Sequence, residues 1–385
     1  MTPAPVIIFD GETRSALTAL RSLTERAIPV VVASHKKKAL SFSSRYCIKK
    51  LVYPSPGTHR ATFLDFMAKY LKENPNVLCM TFTDTTTDAL HTGIAQGLIP
   101  KNVFFGPTLE QYMRATDKRV LATIASGLDI SVPVEIVDFD SDSTHDLQFP
   151  LIIKPARSVS WNGECAYKDT ARFVTTHEEC MQQYHALSGH VDRAPLMQKV
   201  IVGDEYGLSL LAVQGEIYTL FAHKRLRSIT PQGGASALRE SVAVTAEMET
   251  IAKKLVGALS WNGVMMIELK HNTQTQKLTL IEINARFWGS LFLAITAGVD
   301  FPYLLYVAHY GTLQGIVPHY KVGIRARHLV SDLRHFYALR LKAFHPSHIS
   351  AFCTFFQKKM YYDVWSFHDP LPGIMEFTQA MREKI

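Results

Sequence analysis

Gly263-Val264-Met265-Met266-Ile267-Glu268-Leu269-Lys270 and, after a polar turn, Leu280-Ile281-Glu282-Ile283-Asn284-Ala285-Arg286-Phe287-Trp288-Gly289-Ser290 decide how this sequence is read. Apolar runs broken by single acids predict two strands, Gly263 to Lys270 and Lys277 to Asn284, joined by His271 to Gln276. Residues two apart on a strand share a face, so Glu282, Asn284 and Arg286 should point one way and Ile281 and Ile283 into the core. The neighbouring strand can bring Glu268 alongside. Two carboxylates and an amide oxygen are hard ligands suited to Mg²⁺ at about 2.1 Å, and without a metal the carboxylates repel. Arg286, one step further, has the fork geometry for a transferring phosphate or a substrate carboxylate. An ordinary Glu–Arg surface pair satisfies the same local pattern.

Upstream of these strands the hairpin pattern continues. Leu208 to Val213 and Glu216 to Ala222 flank a two-residue turn, Gln214-Gly215, and a helix is expected at about 246–259 with Ile251, Leu255, Ala258 and Leu259 on one face. Residues 5–110 read differently. Val6 to Phe9, a helix around 12–27, Val30 to Ala33, a helix around 60–73 and Val77 to Phe82 follow the βαβ rhythm of a parallel sheet. Ligands of such sheets collect at the carboxyl ends of the strands, which makes Asp10-Gly11 and Thr83-Asp84 pocket candidates. No GxGxxG follows the first strand, so a dinucleotide fingerprint is missing.

Between these halves, Asp117-Lys118 opens a helical stretch ending near Gly127, Val132-Pro133 leads into a strand Val134 to Val137, and the polar residues 138–149 read as a loop or linker. The strand Leu151 to Lys154 ends in a lysine followed by Pro155 and the small polar loop 156–163. A lysine there can reach phosphates as a point charge, although strand-end lysines are often simply solvated. Gln198-Lys199-Val200-Ile201, leading to Glu205, has the look of a hinge whose backbone can read adenine edges, with Glu205 accepting ribose hydroxyls. An interdomain connector is the plain alternative. His223-Lys224-Arg225-Leu226-Arg227 before Pro231-Gln232-Gly233-Gly234 concentrates positive charge ahead of a glycine pair, which suits an anionic ligand.

The 385 residues are enough for two or three packed units, and 47% hydrophobic against 19% charged residues is a globular composition. Lys and Arg exceed Asp and Glu by 41 to 34, a net charge of +7, but no stacking aromatics interleave with the basic runs, so no nucleic-acid partner is expected. Five scattered cysteines without a CxxC spacing point to a reducing cytoplasm. Ser290 to Ala308 is membrane-like in composition, yet Gly298, Asp300 and Pro302 interrupt it, and a buried helix, a break and a second helix are expected instead of a transmembrane segment. Beyond residue 312 clear periodicity is lost until Tyr362.

Taken in order, Asp117-Lys118, the stretch Phe149 to Pro155, Gln198 to Leu211, His223 to Ser236, Gly263 to Lys270 and Ile281 to Ser290 resemble the ATP-grasp superfamily across about residues 110–312. The nearest branch is that of the carbamoyl-phosphate-synthase-like carboxylate-amine ligases. The resemblance implies an α/β and α+β architecture, with two α+β lobes clamping ATP (111–197 and 198–312) behind a Rossmann-like parallel α/β domain (1–110) and with a C-terminal extension (313–385). It implies Lys118 and Lys154 on the phosphates, Gln198, Lys199, Val200 and Ile201 at the adenine, and Glu205 on the ribose. It places Glu268, Glu282 and Asn284 on Mg²⁺ (or Mn²⁺), and Arg286 and Arg225 as catalytic groups on the transferred phosphate. The loop after Lys154 has fewer glycines than the family's, and Gln198 stands where many members have Glu. The activity implied is ADP-forming ligation of a small-molecule carboxylate to an amine; the oligomeric state is left open, a homodimer being one option. An ATP-grasp phosphotransferase acting on a hydroxyl or small anion and a non-catalytic nucleotide-binding module are the rivals.

Overall fold

The computed structural model describes residues 3–136, 147–189, 193–230, 233–311, 313, 318–342 and 359–383. Most of the polar stretch 138–149, as well as Pro231, Gln232 and 343–358 of the tail, lies outside the described residues.

The amino-terminal domain is a parallel sheet in the order β3-β2-β1-β4, built from Val6–Ile8 (β1), Val30–Ser34 (β2), Lys49–Val52 (β3) and Leu78–Met80 (β4). Helices Arg14–Glu25 (α1), Arg60–Glu73 (α2) and Asp84–Ala95 (α3) connect and cover it. β1 is apolar throughout because both its faces are covered, as a central parallel strand requires. β3 is an edge strand with exposed lysines, which is why its charge hides it from an apolar pattern. Asp10 is not a pocket group: buried, it accepts from the backbone N–H groups of Phe82 and Thr83, both at 2.9 Å, and ties the end of β1 to the start of α3.

Helices Leu109–Thr116 (α4) and Lys118–Ser126 (α5) lead to a small lobe. Its antiparallel sheet runs Arg172–Val174 (β8), Leu151–Lys154 (β5), Leu196–Lys199 (β9), backed by His177–Ser188 (α6), with a hairpin of Ser160–Asn162 (β6) and Cys165–Tyr167 (β7) inserted between β5 and β8. Of the strand expected over Val134 to Val137, Val137 lies outside the described residues; the rest meets β9 in an isolated bridge, Glu135 to Gln198, flanked by backbone bonds from Ile136 to Met197 and from Lys199 to Val134.

The large sheet runs β14-β13-β10-β11-β12-β15-β16 among the described residues. Its strands are Gly203–Val213 (β10), Glu216–Thr230 (β11), Gly233–Val242 (β12), Gly263–Asn272 (β13), Leu278–Asn284 (β14), Arg325–Arg327 (β15) and Met360–Tyr362 (β16). Neighbours are antiparallel except β15 and β16. The turn Gln214-Gly215 is left-handed at both residues, as a tight hairpin twisted like its strands demands. Met265, Ile267 and Leu269 pack on α4, α5 and Ala246–Leu259 (α7). The opposite face, through Val264 and Met266, packs on Leu291–Ala297 (α8), Phe301–Tyr310 (α9) and the first domain. α8 and α9 meet at 85° across Gly298, and among the described residues no single helix is long and apolar enough to cross a membrane. Leu329–Lys342 (α10) and Leu371–Arg382 (α11) complete the described chain.

Candidate functional site

Strand register assembles the site. Across the large sheet one row of facing positions runs Glu282, Glu268, Gly207, His223, Ser241, and the next runs Lys270, Glu205, Arg225, Arg239. Directly opposed residues of an antiparallel pair present side chains to the same face, so Glu268 and Glu282 are held side by side. Asn284 donates from Nδ2 to Glu268 Oε1 at 3.0 Å. Burial and the neighbouring Glu282 raise the Glu268 carboxyl above its usual range; burial acts the same way on Glu282, but Lys118 and Lys154 outweigh it and hold that group lower.

The cations come from α5, from the small lobe and from β11 and β13. Lys118 opens α5 behind the N-cap Asp117, and its Nζ lies 3.2 Å from Glu282 Oε2. Lys154 ends β5, 7% exposed, and burial together with Lys118 pushes its ammonium down to about 8. Arg225 stands between Glu205, with which it pairs, and Glu268 Oε2 at 3.5 Å, while Lys270 reaches Glu205 Oε1 at 3.2 Å. These groups line a cleft of about 360 Å³ between the small lobe and the sheet, which includes Lys154, Gln198, Lys199, Ile201, Glu205, Arg225, Gly233, Gly234, Glu268 and Glu282. Val200 lies beside this set in the connector but does not line the cleft.

Three expectations change. Ile281 is the extra residue of a bulge opposite Glu268 and Leu269, so it turns toward the cleft while Ile283 keeps its place in the core. The basic run 223–227 does not act as a block, because strand alternation divides it: Lys224 pairs with Asp204, Arg225 faces the cleft and Arg227 pairs with Asp332. His223 is buried and pushed down to about 3 by desolvation with Arg239 and Arg225, so it carries no charge at neutral pH. Its ring lies over Gly207, where a Cβ would come 2.2 Å from the imidazole, and only glycine leaves that room.

Arg286 lies past the end of β14. Its guanidinium is forked on the Asp84 carboxylate, with both bonds at 2.8 Å, and also donates to Asn284 Oδ1 at 3.0 Å. Burial opposes the charge, but Asp84 more than compensates and keeps Arg286 firmly protonated. Asp84, at the carboxyl end of β4 and the first residue of α3, thus carries the first domain to the edge of the carboxylate pair. The loop after Lys154 also turns toward that domain. Arg157 Nη2 and Trp161 Nε1 both donate to Asp88 of α3, at 2.9 and 2.7 Å, and Arg60 stacks 4.1 Å over the Trp161 ring. Asp88 and Arg157 show no local pattern that marks them as partners.

Residues 192–331 match a family model described as ATP-grasp in the biosynthetic pathway with Ter operon. The L-amino acid ligase of Bacillus licheniformis superposes with a TM-score of 0.63 at 15% identity, over 81% of this chain and 75% of that one. This chain has the ATP-grasp fold. The biotin carboxylase domain dimer of Hydrogenobacter thermophilus 2-oxoglutarate carboxylase, solved with MgADP, ADP and bicarbonate, gives a TM-score of 0.64 at 11% identity over 84% of this chain and 74% of that one. Phosphoribosylglycinamide synthetase of Anaerococcus prevotii gives 0.57 at 13%, over 84% and 79%. No individual curated protein matches the chain by sequence. Gln198 through Glu205, Arg225, Glu268, Glu282, Asn284 and Arg286 fall inside the matched ATP-grasp stretch, whereas Lys118 and Lys154 precede it.

Proposed function

We propose that the chain is an ATP- and Mg²⁺-dependent ligase that joins a small carboxylate to an amine and releases ADP and phosphate, acting in the cytoplasm as a homodimer. The observation that carries this reading is the facing pair Glu268 and Glu282, with Asn284 beside it, in one cleft with Lys154 and Arg225, and with Lys118 paired to Glu282 from α5 behind it. A half-buried pair of facing carboxylates is costly by itself, and the hard oxygens of all three side chains suit magnesium. When bound, magnesium neutralises charge on the phosphate oxygens. Mn²⁺ satisfies the same donors.

Lys154 and Lys118 would hold the phosphates, the backbone of Gln198, Lys199, Val200 and Ile201 the adenine, and Glu205 the ribose, in exchange for part of its present pairing with Arg225 and Lys270. The substrate carboxylate takes the terminal phosphoryl group, breaking the bond to the ADP oxygen. The amine nitrogen then attacks the acyl carbon, phosphate departs and the amine loses a proton. Arg225 and Arg286 offset the charge that builds on the phosphoryl oxygens, Arg286 after release from Asp84. The chain supplies positioning and charge more than covalent chemistry.

ADP release with MgATP and pooled carboxylates and amines tests this. A pool should stimulate the parent, and Lys154→Ala and Glu282→Ala should lower the rate by on the order of 10²-fold or more. AMP and pyrophosphate as products would overturn the reading. ADP formation that needs no amine would move the chain to the phosphotransferases.

A further inference from the structure

The catalytic reading leaves the carboxyl-terminal helix unused, and its outer surface is unusual. Phe367 is fully exposed, and Leu371, Ile374, Phe377 and Met381 recur at three- and four-residue spacing along the outward side of α11. The inward side holds Pro372, Gly373 and Ala380. This is not a frayed end. A Cβ on Gly373 would lie 2.7 Å from the Trp365 ring, so glycine lets that indole press against the helix. The loop carrying Phe367 is pinned through Asp369, whose carboxylate accepts from Arg21 Nε at 2.9 Å, Ser44 Oγ at 2.7 Å and the Arg45 N–H at 2.9 Å.

The same turn brings positive charge to the apolar ridge. Arg45 donates to the His368 carbonyl at 3.1 Å, beside Phe367. Lys38 and Arg382 line a groove between the turn at Leu40–Ser43 and α11, and Lys36 and Lys37 stand exposed next to it. Of the acids on the helix, Glu376 is turned inward onto His328, and Glu383, just past its end, pairs with Arg334.

We propose that this face docks on an anionic lipid surface, with Phe367, Leu371, Ile374 and Met381 entering the headgroup boundary and Lys36, Lys37, Lys38, Arg45 and Arg382 meeting the lipid charge. An apolar stripe with a cationic border is the physical signature of in-plane membrane binding. A second copy of the chain fits less well, since a two-fold contact through this face would set lysines against lysines.

The test is cosedimentation of the full chain with phosphatidylglycerol-containing vesicles and with pure phosphatidylcholine vesicles, at low and high salt. Binding should occur on the anionic vesicles and fall with salt. Lys37→Glu/Lys38→Glu should weaken it by about fivefold or more for each cation lost. Phe367→Ser/Ile374→Ser should weaken it by on the order of tenfold, with an unchanged melting temperature showing that both variants fold. Failure to bind anionic vesicles, or binding that neither pair of substitutions affects, overturns the proposal. So does a molar mass in sedimentation equilibrium that drops to the monomer only in Phe367→Ser/Ile374→Ser, because the face would then belong to a second copy.

Discussion

One sheet carries two concentrations of charge, and they are built on opposite principles. On the β13–β14 side, like charges face one another: Glu268 beside Glu282, Lys118 near Lys154, with Lys154 and both carboxylates lining an accessible cleft. On the β12–β15 side, two buried carboxylates are each shared between two guanidiniums. Asp332 accepts from Arg227 at 2.7 and 2.9 Å and pairs with Arg327 at 2.5 Å, while Asp363 pairs with Arg239 at 2.6 Å and lies 3.4 Å from Arg14. Arg239, Arg327, Asp332 and Asp363 are all at most 1% exposed. The first arrangement stores repulsion that a ligand can relieve. The second spends its charge on fastening α10 and the tail strand to the sheet and to α1.

The sharpest way to break this comparison is at Asp332. Asp332→Ala removes the carboxylate that Arg227 and the fully buried Arg327 share, and removal of one partner from a buried pair costs about 3–5 kcal/mol. Urea unfolding should show a loss of that size. A loss below about 1 kcal/mol would mean that the far edge is no more structural than the cleft.

The next effect is one of pH. Lys154 is held near 8 by burial and Lys118, so in the free protein it loses its proton above that value, and a bound polyphosphate would raise it again. Binding therefore takes up a proton at high pH, and affinity falls as pH rises. The dissociation constant of MgATP, flat below pH 7, should climb by up to about tenfold per unit above 8, and Lys154→Arg should abolish the climb. An unchanged constant at pH 9 in the parent would remove Lys154 from the phosphate site.

Much of this contrast was legible in the sequence and part of it was not. The helix expected at 246–259 forms over Ala246–Leu259, and the hairpin at Gln214-Gly215 forms where two strand patterns meet a tight-turn pair. Both signals are local. The strand Lys49–Val52 escaped because an edge strand carries lysines, and α11 escaped because its apolar residues recur on the outward side while Pro372, Gly373 and Ala380 face inward, the reverse of the usual pattern. In the site, spacing on β14 could place Glu282 and Asn284 on one face but could not show the bulge at Ile281. The basic run 223–227 looked uniform because a strand's two faces are interleaved in sequence. Arg286 and Asp84 are 202 residues apart, and only the rule that ligands collect at the carboxyl ends of parallel strands drew attention to Asp84 at all.

The smallest effect is the most discriminating, because it concerns a residue whose loss should hardly matter to the fold. Glu268 sits half-buried beside Glu282, and the same desolvation and repulsion that raise its pKa reduce what its charge contributes to stability. Glu268→Gln keeps the shape and the acceptor that Asn284 uses, removes one of two repelling charges and leaves Arg225 still paired with Glu205. Its stability without ligand should therefore change by less than about 1 kcal/mol, against the several expected at Asp332. What should disappear is the extra thermal stabilisation that magnesium adds to bound ATP, since one of three hard donors has lost its charge. If Glu268→Gln instead unfolds as easily as Asp332→Ala, the carboxylate pair is a structural device like the far edge, and the contrast between the two sides of the sheet collapses.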